Sequence, residues 1–233
     1  MKSIKKKAVL AVILILCMAM IAGYAVAEEL DLEGRIVVAC VGDSITKEVG
    51  AEDAATDSYP ALLQNMLGDA YAVVNCGNSG ACVQADGDNP YRERKPYETS
   101  LAIDAQIYLI MLGTNDCKAI NWNAEGYEQA LGELINGYRE HTPDAKFYLM
   151  TPPHTYVTED IPNAILEIGE DHIMEARLIV LRVAEEKGVN VIDINAFTEN
   201  HADWFSDGIH PNNDGHAEIA QFVFDSMQED PEA

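Results

Sequence analysis

The chain has 233 residues, 48% of them hydrophobic, with 15 basic and 39 acidic side chains and a formal net charge of −24. This supplies a sizeable core and excludes wholesale disorder, while the negative charge excludes nucleic acid and anionic membrane surfaces as partners, because both require clustered positive charge. Five Cys without a dense, regular framework exclude a small disulfide scaffold.

Lys2, Lys5, Lys6 and Lys7 open the chain, an uncharged stretch runs from Ala8 to Ala27, and Ala25-Val26-Ala27 presents the small residues a signal peptidase needs. Residues 1–27 are therefore expected to be a secretory signal peptide cut after Ala27, giving a secreted protein. The alternative is an uncleaved membrane anchor, since the 20 uncharged residues could just span a bilayer. A lipoprotein reading through Cys17 is weaker, because Leu16 stands where a small residue is expected. Residues 1–27 carry four Lys and no acid, so 11 basic side chains face 39 acidic ones in 28–233, a net charge of −28.

Beyond Ala27 the pattern alternates strands and helices. Arg35–Val41 is a short β-branched run, read as a buried strand. Tyr59–Leu67 has helical spacing, with Pro60 tolerated in the first turn. Tyr71–Asn75 is a second strand, Ala105–Leu112 a third, Lys146–Met150 a fourth and Val189–Ile194 a fifth. Helices are expected at Tyr127–Tyr138, at Asn163–Glu186 with Gly188 as its stop, and at Asp214–Met227. Ala81–Ser100, with Gly87, Asn89-Pro90 and Pro96, reads as a long surface loop, and the tail as a solvated acidic end. Strands apolar on both faces and separated by helices imply one α/β domain, 28–233, with a parallel sheet covered on both sides. Its site is expected outside the carboxyl ends of the strands.

Four polar blocks lie after strands or before the last helix. Gly42-Asp43-Ser44-Ile45-Thr46 follows the first strand, where a serine at a tight turn exposes its hydroxyl beside a backbone N–H. Alone it reads more readily as a plain turn or helix N-cap. Asn75-Cys76-Gly77-Asn78-Ser79-Gly80 follows the second strand, and its glycines let backbone approach a ligand. Gly113-Thr114-Asn115-Asp116 follows the third; Asn115 offers an amide donor for an oxyanion, or an Asx-turn. Asp207-Gly208-Ile209-His210-Pro211-Asn212 precedes the last helix, and His210 can hydrogen-bond back to Asp207, which fixes its tautomer and raises its basicity. His141, His154, His172, His201 and His216 lack such an arrangement and read as surface or packing residues; no Cys/His set reads as a zinc site.

In this order, along nearly all of 36–225, the blocks resemble those of the SGNH hydrolases, also called GDSL esterases, with Ile45 in place of the usual Leu. The pattern is similar, more softly, to bacterial carbohydrate and sialate O-acetylesterase-like members. The resemblance implies a three-layer α/β/α sandwich with a five-stranded parallel sheet in the flavodoxin-like order 2-1-3-4-5. It implies Ser44 as nucleophile, His210 as base and Asp207 as its partner. The oxyanion hole would comprise Ser44, Gly80 and Asn115, with no metal or organic cofactor. The expected activity is hydrolysis of small acyl esters, most simply acetyl groups on sugars. The alternatives are a lysophospholipase or thioesterase of the same family, or a non-catalytic surface carbohydrate-binding module.

The candidate substrate-binding residues are Trp122, Tyr91, Arg92, Arg94 and Lys95. Flat aromatic faces, those of Tyr97 included, suit sugar rings, though they equally suit loop packing. Lys47, Arg92, Arg94, Lys95 and Lys118 lie near the blocks and would form a positive rim for an acidic substrate, or else pair with Glu48, Glu93 and Asp116. Cys40, Cys76, Cys82 and Cys117 are expected to be reduced; the competing arrangement is a Cys82–Cys117 bridge clamping the Gly80 and Asn115 loops together.

Overall fold

The computed structural model describes residue 30 and residues 32–156 and 168–229. The expected signal segment 1–27, the start of the helix expected from Asn163 and the end of the acidic tail lie outside the described residues.

The chain runs β1 (Ile36–Gly42), α1 (Ser44–Lys47), α2 (Ala54–Asp57), α3 (Tyr59–Leu67), β2 (Tyr71–Gly77), a 3₁₀ turn (Tyr91–Glu93), α4 (Lys95–Ala102) and β3 (Ile107–Met111). It continues through α5 (Ala124–His141), β4 (Lys146–Met150), α6 (Glu170–Lys187), β5 (Asn190–Ile192), α7 (Ile194–Thr198), a second 3₁₀ turn (Ala202–Trp204) and α8 (Asn213–Gln228). All strand pairs are parallel, in the order β2-β1-β3-β4-β5.

Alternation along the strands divides the core into two halves. Val37, Ala39 and Val41 of β1, Tyr108 and Ile110 of β3, and Phe147 and Leu149 of β4 point to one face, with Leu131, Leu134, Ile135, Ile179, Val180 and Val183 of α5 and α6. Val38 and Cys40, Leu109 and Met111, and Tyr148 and Met150 point to the other, with Leu63 of α3 and Ile219 and Val223 of α8. The sheet is thus the middle layer of three, and every βα crossover delivers its loop to the same carboxyl edge.

Capping explains several boundaries. Asn123 and Asn212 accept hydrogen bonds from Gly126 N–H and Gly215 N–H at the starts of α5 and α8. Gly188 ends α6 with φ 58°, a left-handed C-cap. The fifth strand is shorter than expected, since Asp193 leaves the sheet to cap α7 by accepting from Ala196 N–H.

The segment Ala81–Ser100 departs most from expectation. It is not a surface loop: Ala81, Cys82, Val83, Gln84 and Tyr91 are buried, and Lys95–Ala102 is helical. Its prolines misled because Pro96 occupies the first turn of α4, where a missing N–H costs nothing. Among the described residues, no helix is long and apolar enough to cross a membrane.

Candidate active site

The β1–α1 turn carries Ser44. Asp43 caps α1, its Oδ1 accepting Ile45 N–H at 3.0 Å, and Thr46 Oγ1 bonds Tyr59 Oη at 2.9 Å beneath the turn. Glu48 and Val49 donate their N–H groups to Ser44 C=O, and this return requires φ 122° at Glu48, a strained conformation for a residue with a side chain.

Two loops from distant parts of the chain meet here. Ser44 Oγ lies 2.9 Å from His210 Nε2, and His210 Nδ1 lies 2.6 Å from Asp207 Oδ2. Asp207 Oδ1 also accepts Ile209 N–H at 2.9 Å and His210 N–H at 2.7 Å. Partial burial pushes the Asp207 pKa up, but the hydrogen bonds from the His210 side chain and these backbone groups outweigh it and hold the pKa at about 2. The carboxylate is thus ionised at neutral pH, and it selects the His210 tautomer with the proton on Nδ1 and a lone pair toward Ser44. Tyr156 N–H donates to Gly208 C=O at 2.7 Å, and Gly50, at φ 99°, passes under Pro211 so closely that a Cβ there would lie 2.0 Å from the Pro211 oxygen.

The loops after β2 and β3 complete the site. Asn78 N–H donates to Gly42 C=O at 2.9 Å, which ties the Gly80 loop to the end of β1. Gly80 has φ 78°, and among the described residues its N–H and that of Ser44 have no protein acceptor. Asn115 is buried, and its Nδ2 donates to Asp43 Oδ2 at 3.3 Å. Burial drives the Asp43 pKa up to about 6, against the Ile45 hydrogen bond and the influence of His210.

The structure therefore brings Ser44, Asp207 and His210 into one hydrogen-bonded series, with Asn115 bonded to the residue beside the serine. A hydroxyl, an imidazole acceptor and a carboxylate in this order can generate an alkoxide, and nearby free N–H donors can receive negative charge. Among the described residues no group of three or more His, Cys, Asp or Glu is placed to hold a metal ion.

The candidate substrate-binding residues fare differently. Tyr91 is fully buried, and its hydroxyl donates to Cys76 C=O at 2.7 Å, so it is a core residue and offers no face to a sugar. Trp122 is half-buried, stacked on His172 with ring centroids 4.9 Å apart and packed near Tyr127. Among the described residues, Arg92, Arg94 and Lys95 make no hydrogen bond or ion pair with the five site residues; Arg94 pairs with Glu93 at 3.7 Å. Lys118 pairs with Asp88 at 3.0 Å and not with Asp116. Cys40, Cys76, Cys82 and Cys117 are all free and buried, so no Cys82–Cys117 clamp is formed.

Two residues that the sequence reading assigned no role in the site are buried beside it or beneath its turn. His216 is fully buried: its Nδ1 accepts Tyr59 N–H at 3.3 Å and its Nε2 donates to Val49 C=O at 3.2 Å. Asp116 is fully buried beside Asn115. Position in a polar block was the available signal for Asp116; none distinguished His216 from a packing residue.

Residues 40–218 match the model of the GDSL-like lipase/acylhydrolase family. An acetylxylan esterase of Xylanibacter ruminicola is 32% identical over 211 residues, a match covering 82% of this chain and 43% of that protein, so this chain spans less than half of its length. Among solved structures, the aryl esterase of M. smegmatis superposes with TM-score 0.67 at 20% identity, covering 82% of this chain and 98% of that one. A carbohydrate acetylesterase from Sinorhizobium meliloti superposes with TM-score 0.66 at 19% identity, covering 83% and 99%.

Proposed function

The chain belongs to the GDSL-like lipase/acylhydrolase family of carboxylic ester hydrolases, and from that premise we propose that it is a secreted serine esterase that removes small acyl groups, chiefly acetyl, from carbohydrates. The observation that carries the chemistry is the pair of contacts at 2.9 Å and 2.6 Å that joins Ser44, His210 and Asp207. The deacetylation reading is supported by the relative named an acetylxylan esterase.

In this mechanism His210 Nε2 takes the Ser44 proton as Oγ attacks the ester carbonyl, and Asp207 stabilises the imidazolium through Nδ1–H. The tetrahedral oxyanion accepts hydrogen bonds from the Ser44 and Gly80 N–H groups and from Asn115 Nδ2. Losing one such donor typically costs about 2.7–4 kcal/mol of barrier. His210 returns the proton to the leaving sugar oxygen, which gives an acetyl-enzyme and free alcohol. Water, deprotonated by His210, then releases acetate and regenerates Ser44. Trp122 remains the candidate aromatic contact for the sugar.

The test is a chain-length series of p-nitrophenyl esters, followed by acetate release from acetylated xylan and other acetylated glycans. A sharp preference for acetyl with release from a glycan is expected; a preference for long acyl chains would overturn the reading. Ser44→Ala should abolish both hydrolysis and fluorophosphonate labelling. Secretion is checked by amino-terminal sequencing of exported protein, expected to begin at Glu28.

A further inference from the structure

Asp116 takes no part in the chemistry above, yet it is a carboxylate firmly built into this wall of the site. It is fully buried. Both of its oxygens accept Val83 N–H at 3.0 Å, and Oδ1 also accepts Gln84 N–H at 3.1 Å. No cation is bonded to it among the described residues, since Lys118 turns to Asp88. Burying a carboxylate without a countercharge is costly. Burial accordingly pushes its pKa up to about 6, even against the Val83 and Gln84 hydrogen bonds. A position that required only packing would be better served by an apolar side chain.

What these bonds join is specific. Val83 and Gln84 lie three and four residues beyond Gly80, and Asp116 directly follows Asn115. A second set of contacts runs beside the first: Gln84 Nε2 donates to Asn121 C=O at 3.0 Å, and Asn121 Nδ2 donates to Asn115 C=O at 2.9 Å. Asn121 also accepts Asp88 N–H at 2.9 Å. The loop after β2 and the loop after β3 are thus joined at the same place where a Cys82–Cys117 bridge could have stood.

We propose that Asp116 is a positioning residue, a carboxylate clamp that pins the Gly80 loop to the Asn115 loop and thereby sets the spacing of two oxyanion donors. The inference rests on the serine-esterase reading above. Oxyanion donors act by being fixed before charge develops, so loosening the clamp lowers transition-state stabilisation more than substrate affinity. Asp116→Asn keeps the shape but replaces one acceptor oxygen with an NH₂ group that faces N–H donors.

The experiment is a double-mutant cycle between Asp116→Asn and Asn115→Ala, with p-nitrophenyl acetate as substrate and a circular-dichroism melt of each variant. In the native background, Asp116→Asn is expected to lower kcat by roughly 10-fold or more with KM changed by less than about 2-fold. In the Asn115→Ala background the same change should cost less than about 3-fold, because the donor it positions is gone. An equal fold-loss in both backgrounds, or no loss in the native one, overturns the clamp. If Asn115→Ala leaves kcat unchanged, the oxyanion reading itself fails, which separates the two ideas. Should Asp116→Asn not fold, Asn121→Ala weakens the same junction from a less buried position. Its loss of about 3- to 10-fold should likewise shrink in the Asn115→Ala background, and additivity there overturns the clamp.

Discussion

The loop carrying Asp207 and His210 and the paired loops carrying Gly80 and Asn115 serve one site with opposite construction. The first is open: the Asp207 side chain is 55% exposed, and its pKa is held at about 2. Its geometry comes from a few directed contacts, namely the Asp207 hydrogen bonds, the Tyr156–Gly208 bond and the approach of Gly50 to Pro211. The second rests on sealed supports: Asp116, and Asp43 of the β1–α1 turn to which Asn115 donates, are fully buried, burial lifts both pKa values to about 6, and backbone N–H groups are among their partners. In the proposed mechanism this difference matches two tasks. The base exchanges protons with substrate and water: His210 itself keeps 12% of its side chain exposed, and its partner Asp207 lies where solvent reaches it. Oxyanion donors must not reorganise, so their supports are buried in low dielectric.

The contrast can be broken most directly at Asp207. Asp207→Asn should lower kcat by about 10⁴-fold through the wrong imidazole tautomer. Because the side chain is exposed, the melting temperature should hardly move; a large drop would show that this loop is also a structural support.

Gly50→Ala comes next. Its Cβ would stand 2.0 Å from the Pro211 oxygen and 3.3 Å from His210 Cβ, so the histidine must shift. A displacement of that kind costs on the order of 100-fold in kcat, measured with p-nitrophenyl acetate, while fluorophosphonate labelling should slow and not vanish.

A stability measurement against pH sharpens the contrast at His216. Burial lowers its pKa to about 4, against about 6.5 when unfolded. Below pH 6.5 the unfolded chain takes up a proton that the native protein refuses, so stability falls as pH drops from 6.5 towards 4. The full effect is about 3 kcal/mol. Asp43 and Asp116 act in the opposite sense: their raised pKa values make their charge a cost above about 6 that is relieved as pH falls towards 3.8. The readout is therefore the difference in denaturant stability between native protein and His216→Gln, which should narrow from pH 7 to pH 4. A constant difference would mean His216 is not held neutral.

The smallest effect is expected at Glu48. With φ 122°, Glu48→Gly should relieve strain and raise unfolding free energy by about 1 kcal/mol, measured by denaturant titration. A rise with unchanged kcat would place this turn with the sealed wall, where geometry is over-determined; a fall in kcat would show that the strain itself aims Ser44.

The strand core was legible because every central strand is apolar on both faces, a pattern that in a chain of this length implies a covered parallel sheet. The positions of Ser44 and Asn115 were legible for a related reason, since both directly follow strands whose carboxyl ends define the site; His210, before the last helix, stood out by its spacing from Asp207 and by the family resemblance. Tyr91 and the segment Ala81–Ser100 were not. Proline and glycine report local backbone preference, and the burial of Tyr91 under the Cys76 carbonyl depends on elements far away in sequence.

Sequence by itself determined the layers, the strand boundaries to within a few residues and the chemical identity of the groups at the strand ends, because these follow from periodicity and residue type. Only the tertiary structure decided which groups meet. That Lys118 turns to Asp88, that Asp116 is left to the Val83 and Gln84 N–H groups, and that His216 is sealed between Tyr59 and Val49 are outcomes of long-range competition for a few hydrogen-bond partners in a dry interior. No local pattern encodes that competition, because each winner is set by what the rest of the chain leaves unpaired.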